Sequence, residues 1–267
     1  MLVKANAKIN LILNVYDKRE DGYHNVEFLM VPIDLYDEID ITISDEMKIN
    51  TPGVKLEDNL IYKAVKLIKD TYNIADNFSI DVKKNIPQGG GLAGGSSDAS
   101  FVLKAINQLC DLNITDEELI ALSAHLGSDC PFFIKNKPSI ISGRGEIIEV
   151  VDFSLDNEII IINPGSHLST KAVFDNYQNT NKHADITKLI NTKDLKLLHN
   201  DLTTSSRLQD DKLDALLNDL DNLGVNYLMS GSGSSCFVVL DKSSNKNDII
   251  KYLENKYPLV VCTKVLN

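Results

Sequence analysis

Several features that would steer a first reading are missing from this 267-residue sequence. No run of eighteen apolar residues occurs, so no membrane-spanning helix is expected. The opening "MLVKANAKIN" places polar residues where a secretory leader needs an apolar core, which makes a cytoplasmic chain the expectation. The four cysteines, Cys110, Cys130, Cys236 and Cys262, show neither C-x-x-C nor zinc spacing. Reduced, mostly buried thiols follow from that, rather than a disulfide framework or a metal site. Positive charge is scarce: 27 Lys and Arg against 38 Asp and Glu leave a net charge of −11. That balance excludes a general nucleic-acid binder, and an anionic ligand would have to be held by local devices. What remains is a chain with 43% hydrophobic and 24% charged residues, ordinary for a folded protein and long enough for one large domain or two modest ones.

Periodicity alternates between two kinds. "KINLILNV" puts Ile9, Leu11, Leu13 and Val15 on one strand face and Lys8, Asn10, Ile12 and Asn14 on the other. "EIDITI" and "FSIDV" read as further strands, with "DKREDGYHN" a polar loop carrying a turn signal at Asp21-Gly22. Ile61, Ala64, Val65 and Ile68 follow helical spacing, and Asp58 or Asn59 can cap that helix. Thr115 with Glu118 forms a capping box for a helix that Gly127 is expected to stop. "EIIEVV", "EIIIIN", "VNYLM", "CFVVL" and "LVVCTKV" are strand candidates. Helices are expected at "DKLDALLNDLDNLG", ending at Gly224, and at "NDIIKYLENKY". The rhythm is not strictly βαβ, which favours an α+β fold; a break near Asp152 to Asn157 divides residues 1–152 from 153–267.

The most concentrated feature is "IPQGGGLAGGSSDAS", Ile86 to Ser100, where five of the 14 glycines fall in seven residues. Bare backbone followed by a helix N-terminus makes a phosphate cradle, because unpaired N–H groups and the helix dipole both face an anion. Gly89, Gly91 and Gly94 satisfy G-x-G-x-x-G, but no strand with an acidic residue follows about 20 positions on, as a dinucleotide fold needs. Gly95 stands where a Walker A loop requires lysine. H-R-D and D-F-G are both absent, which excludes a protein kinase.

"PQGGGLAGGSSDAS" resembles the phosphate loop of the GHMP small-molecule kinases. "ANAKINLILNV" resembles that family's N-terminal motif and "LMSGSGSSCFVVL", Leu228 to Leu240, its C-terminal glycine motif. "KREDGYHNVE", "EDNLIYKA", "LGSDCPFF", "SGRGEII" and Asn200 to Leu202 are similar to the branch that phosphorylates diphosphocytidyl-methylerythritol. Ser234 and Ser235 stand where relatives often have other small residues. The resemblance implies a two-domain α+β fold, with an N-terminal domain like domain 2 of ribosomal protein S5 and a ferredoxin-like C-terminal domain. It implies ATP and Mg2+ as cofactors and transfer of a phosphoryl group to the 2-hydroxyl of the methylerythritol unit, in non-mevalonate isoprenoid synthesis. It also implies a monomer or weak homodimer without nucleic-acid or membrane partners.

By the same resemblance Lys8 and Asp129 are catalytic. ATP falls to Pro87, Gln88, Gly89, Gly90, Gly91, Leu92, Ala93, Gly94, Gly95, Ser96 and Ser97, with Asn59 and Lys84 on the adenine side. Asn10, Tyr23, His24, Thr170 and Phe174 are expected to bind the alcohol substrate. A lysine can stabilise phosphoryl charge and keep a neighbouring carboxylate ionised, and an aspartate can align a hydroxyl and take its proton late. No metal ligand set is legible; Ser97 is a candidate, and Asp98 reads as a helix-dipole partner. A mevalonate- or homoserine-kinase-like enzyme, or a non-catalytic nucleotide-binding relative, remain the alternatives.

Overall fold

Two long strands carry the chain through both of its compact units. β1 (Leu2–Lys18) and β2 (His24–Ser44) are joined by a turn at residues 19–23. There the Arg19 N–H donates to the Tyr23 carbonyl at 2.7 Å and Gly22 takes φ of 85°, as the Asp-Gly signal predicts. The computed structural model describes residues 1–179, 181–241 and 244–266. The first unit comprises Met1–Ala7, Leu35–Ile86 and Ala93–Lys137; the second comprises Lys8–Asp34, Pro87–Leu92 and Pro138–Asn267.

After the start of β1 and the end of β2, the first unit adds β3 (Lys48–Asn50), α1 (Leu60–Tyr72), β4 (Asn77–Lys83), α2 (Gly94–Leu109), α3 (Asp116–Ser123) and α4 (Cys130–Lys135). β2 pairs antiparallel with β4 from Glu38↔Lys83 to Ser44↔Asn77, and β3 runs parallel to β4. Alternation sends Ile39, Ile41, Phe78, Ile80 and Val82 into a core completed by Ile61, Ala64, Val65 and Ile68 of α1 and Val102, Leu103, Ala105 and Ile106 of α2. Asn59 caps α1 by accepting the Ile61 N–H at 2.9 Å, and Asn73 ends it in the left-handed region.

The second unit adds β5 (Ser139–Gly143), β6 (Ile147–Val150), β7 (Glu158–Asn163), α5 (Thr170–Asp175), α6 (Ile186–Thr192), β8 (His199–Asn200), α7 (Thr203–Arg207), α8 (Asp211–Leu223), β9 (Asn226–Met229), β10 (Cys236–Val239), α9 (Lys246–Glu254) and β11 (Leu259–Lys264). Val26–Met30 of β2 pair with β5, β5 with β6, and β1 pairs with β8 at Ile12 and Leu13. A four-stranded antiparallel sheet runs in the order β11-β7-β10-β9. Ile159 to Ile162 are all 0% exposed, so β7 is covered on both faces, which explains its unbroken apolar run. Leu213, Leu216, Leu217 and Leu220 of α8 pack with Ile160, Ile162, Met229 and Val238. Asp210 caps α8 and Gly224, at φ 63°, ends it as expected.

Three expectations change, and one detail is added. The units are interleaved along the chain rather than cut once at 152/153, because β1, β2 and the glycine loop each pass from one to the other. "EIDITI" is only the end of a 21-residue strand, whose middle, Leu29 to Ile33, is buried on both faces and so shows no alternation. The polar face of β1 is not solvated: Lys8, Asn10 and Asn14 are buried with the apolar residues. Gly127 does not stop α3, which closes at Ser123 and Ala124 as the chain tightens into Leu126 N–H to Ser123 carbonyl bonding; Gly127 does not take positive φ. The cysteines are free; Cys130 and Cys236 are buried and Cys262 is exposed.

Candidate active site

The C-terminal glycine motif forms a turn between β9 and β10, and the glycine loop is seated on it within the second unit. The Ser235 N–H donates to the Gly90 carbonyl at 3.1 Å, and Ser230 Oγ donates to the Gly91 carbonyl at 3.1 Å. This seating explains the glycines. A Cβ at Gly91, where φ is 76°, would lie 2.1 Å from the Ser230 carbonyl oxygen. At Gly90 it would lie 2.6 Å from Ser235 Oγ, and at Gly89 1.8 Å from His167 Nδ1. The Lys8 N–H donates to the Leu92 carbonyl at 3.2 Å, and Lys8 Nζ donates to Asn10 Oδ1 at 2.7 Å. A Cβ at Gly231 would come within 3.2 Å of the same Nζ and 3.1 Å of the Gly91 carbonyl oxygen. Lys8, Asn10, Gly91 and Gly231 therefore form one closely packed group, with a buried ammonium among main-chain atoms.

The turn is held from behind. Asn200 Nδ2 donates to the carbonyls of Met229 (2.8 Å) and Gly231 (2.9 Å), and Ser206 Oγ donates to the Ser232 carbonyl. Thr170 Oγ1 meets Ser232 Oγ at 2.9 Å, which places that candidate on the turn rather than free in a cleft. Among these residues Asn200 had a sequence signal in the Asn-Asp-Leu triplet, Ser230 lay within the C-terminal glycine motif and Thr170 was a candidate; Ser206 and His167 had no signal.

In the first unit the loop leads into α2. Ala93 is its N-cap in the left-handed region, with no side-chain cap, and the helix starts at Gly94. Its first N–H groups thus have no capping side chain, the condition for anion binding. A Cβ at Gly94 would be 2.9 Å from Ile86 Cγ2, whereas one at Gly95 would meet only Leu60 Cδ1 at 3.8 Å. Gly95 is bare where the protein itself does not require it. Ser97 Oγ is buried with no hydrogen-bond partner among the described residues.

Asp98 does not serve the helix dipole. Lys84 Nζ donates to Asp98 Oδ2 at 2.7 Å and also to Asp37 Oδ2. Burial, with the Asp37 charge acting the same way, pushes the Asp98 carboxyl up to about 7 despite the ammonium. Burial pulls on Lys84 in the opposite direction, but the two carboxylates outweigh it and hold its ammonium above the ordinary value. Asn59 uses Oδ1 for its cap and Nδ2 to reach Thr51 Oγ1 at 3.0 Å. Both adenine-side candidates thus have internal partners: the sequence offered Asn59 as a cap, but showed neither its Thr51 contact nor the carboxylates of Lys84. Asp129 is the half-buried N-cap residue of α4; its carboxylate makes no hydrogen bond or ion pair among the described residues.

An aromatic cluster lies in the second unit. His24 Nδ1 is 2.9 Å from the Tyr16 carbonyl, which can only accept, so Nδ1 carries a hydrogen and donates it. Phe174 and Tyr177 flank the imidazole at 5.9 and 5.7 Å between ring centroids. Tyr23 is 61% exposed, with the Arg144 guanidinium 5.7 Å from its ring. The structure thus groups His24 with Phe174. Tyr177, which the sequence did not single out, is anchored by its hydroxyl on the Val15 carbonyl at 2.8 Å.

Comparison with known proteins is consistent with this arrangement. Residues 59–137 match the family described as GHMP kinases N terminal domain, and residues 186–259 match GHMP kinases C terminal. A 4-diphosphocytidyl-2-C-methyl-D-erythritol kinase from Fusobacterium nucleatum is 35% identical over 98% of this chain and 96% of its own. Another of that name from Bacteroides fragilis is 37% identical over 89% and 91%. A crystal structure of 4-(cytidine 5'-diphospho)-2C-methyl-D-erythritol kinase superposes with a TM-score of 0.88 at 26% identity, covering all of both chains. With both family segments matched in chain order and relatives this similar along nearly the whole length, the chain belongs to the GHMP kinase family.

Proposed function

We propose that this chain transfers the γ-phosphoryl group of ATP to the 2-hydroxyl of 4-diphosphocytidyl-2-C-methyl-D-erythritol, giving the 2-phosphate and ADP, a step of non-mevalonate isoprenoid synthesis. The observation that carries this reading is the near full-length likeness to kinases of that name, 35% and 37% identical. In this reading Pro87 to Ser97 hold the ATP phosphates, with the uncapped start of α2 supplying N–H donors. Lys8 stabilises the charge of the transferring group; its burial among main-chain atoms raises the worth of that interaction over one in water. Asp129 orients the hydroxyl and takes its proton late, a role that suits a loose transition state and a carboxylate without an internal partner. Tyr23 and Phe174 stack the cytosine, and His24 hydrogen-bonds its edge.

Mg2+ fits the donors present. It takes oxygen ligands, largely from phosphates and water, and the buried, unpartnered Ser97 hydroxyl is a donor of that class. When bound it would neutralise charge on the β- and γ-phosphates. Among the described residues no group of three or more His, Cys, Asp or Glu could hold a metal by itself, in keeping with a cation that comes with the nucleotide. Among the described residues no helix is long and apolar enough to cross a membrane.

The test is ADP release from purified protein with diphosphocytidyl-methylerythritol, mevalonate and homoserine offered in turn. Turnover with the first alone is expected. Comparable turnover with mevalonate or homoserine would move the assignment within the family. Nucleotide binding without turnover on any of the three would favour a non-catalytic relative.

A further inference from the structure

Asp37, Lys84 and Asp98 form a buried charge cluster to which the proposed reaction gives no role: they are 0%, 11% and 2% exposed at the side chain. We propose that Lys84 is a positioning residue, which with Asp37 and Asp98 staples the segment entering the glycine loop to the helix leaving it and presets the loop for nucleotide. The proposal rests on reading Pro87 to Ser97 as the ATP loop.

The geometry is continuous. Asp37 Oδ1 accepts the N–H groups of Asn85 (2.6 Å) and Ile86 (2.8 Å), the last two residues before Pro87. Its other oxygen receives Lys84 Nζ, which also donates to Asp98 Oδ2 near the start of α2. Gly94 lies against Ile86, close enough that a Cβ there would touch it at 2.9 Å, and 3.4 Å from Asp37 Oδ2. The two chain ends of the loop are thus held together by one ammonium and two carboxylates.

The loop between those ends is glycine-rich, and ordering glycine costs more backbone entropy than ordering any other residue. Fixing the ends beforehand lowers the part of that cost which nucleotide binding must offset. A buried ion cluster adds little net stability over apolar packing, so its use here is geometric. Removing Lys84 would leave two buried acidic groups without their cation, and the ends without the donor that links them.

The experiment compares the unmodified chain with Lys84→Met, Asp37→Asn, Asp98→Asn and the double variant Lys84→Met/Asp37→Asn. It reads kcat, KM for ATP and KM for the alcohol by ADP release, and Kd for ADP by calorimetry. Lys84→Met and Asp37→Asn are each expected to raise KM for ATP and Kd for ADP about tenfold, with kcat at saturating ATP and KM for the alcohol within about twofold. The double variant should be no worse than the worse single one, because both break the same staple. Multiplying effects would overturn the proposal. So would a silent Asp37→Asn beside an impaired Lys84→Met, since Lys84 would then touch the nucleotide itself. A parallel loss of kcat and both KM values with a lowered Tm would mark a purely structural cluster and also overturn it. If the first two variants fail to fold, Asp98→Asn, which keeps the shape, still decides: about a threefold rise in Kd for ADP is expected, and no change refutes the staple. If the unmodified chain phosphorylates none of the alcohols, the calorimetric comparison still tests the staple, so the two readings fail separately.

Discussion

Lys8 and Asp129, the two residues proposed to be catalytic, are held very differently. Lys8 is locked in a strand, packed by glycines and bonded to Asn10, while Asp129 sits half-buried at a helix start with its carboxylate unpaired. Asp129→Asn keeps the shape and removes the proton acceptor, so kcat should fall by at least ~10²-fold with the fold intact, measured by ADP release and circular dichroism. Near-normal turnover would remove Asp129 from the mechanism. Tyr23 is expected to act on one substrate only: Tyr23→Ala should raise KM for the cytidyl alcohol about tenfold or more and leave KM for ATP within about twofold, since base stacking is worth roughly 1–3 kcal/mol. Equal rises in both constants would count against the role. Residue types at these positions were legible from the motifs. That Lys8 is 4% exposed was not, because the residues that cover it come from distant parts of the chain.

At the scale of elements, the glycine loop separates into two classes that its sequence does not distinguish. A Cβ at Gly89, Gly90, Gly91 or Gly94 would overlap neighbouring atoms, whereas one at Gly95 would make only an ordinary contact with Leu60 Cδ1. Gly91→Ala should therefore fail to fold or lose several degrees of Tm, since it combines overlap with an unfavourable φ of 76°. Gly95→Ala should fold as well as the parent or better, because alanine favours helix by about 1 kcal/mol, yet raise KM for ATP by blocking phosphate approach. An unchanged KM in a well-folded Gly95→Ala protein would show that nothing approaches there. Asn59 gives the complementary case: loss of its cap in Asn59→Ala should cost about 1 kcal/mol in urea unfolding. A rise in KM for ATP without loss of stability would restore Asn59 to the adenine side. The concentration of glycine announced a special backbone; the reasons position by position lie with partners such as Ser230, 139 residues away.

For the whole molecule, the two units share the chain in alternating pieces, and loop 87–92 belongs to the second unit although its flanks belong to the first. Asp201 is one of the groups that link such pieces: it accepts the Val15 N–H at 2.8 Å and is bonded to His199 and His183. Burial would raise its carboxyl, but the His199 hydrogen bond and the Val15 N–H outweigh it and hold the group below the ordinary carboxylate value. A depressed carboxyl stabilises the fold above its unfolded value and loses that contribution as pH falls through the folded one. Urea midpoints should therefore drop as pH is lowered from 5 to 3, and Asp201→Asn should remove part of that slope; an identical slope in the variant would exclude the group.

The sequence alone determined the α+β class, the capped helices, the alternating strands and the place of the glycine loop before a helix. Those properties depend on residues within one helical turn, one strand or one short motif, where spacing and side-chain type suffice. The tertiary structure decided why a Cβ at four of the five loop glycines would overlap neighbouring atoms, why Lys84 and Asp98 form a cluster with Asp37, and why Tyr177 joins His24 and Phe174. Each of those answers is a contact between segments tens to hundreds of residues apart, and local periodicity carries no record of which distant atom fills the space.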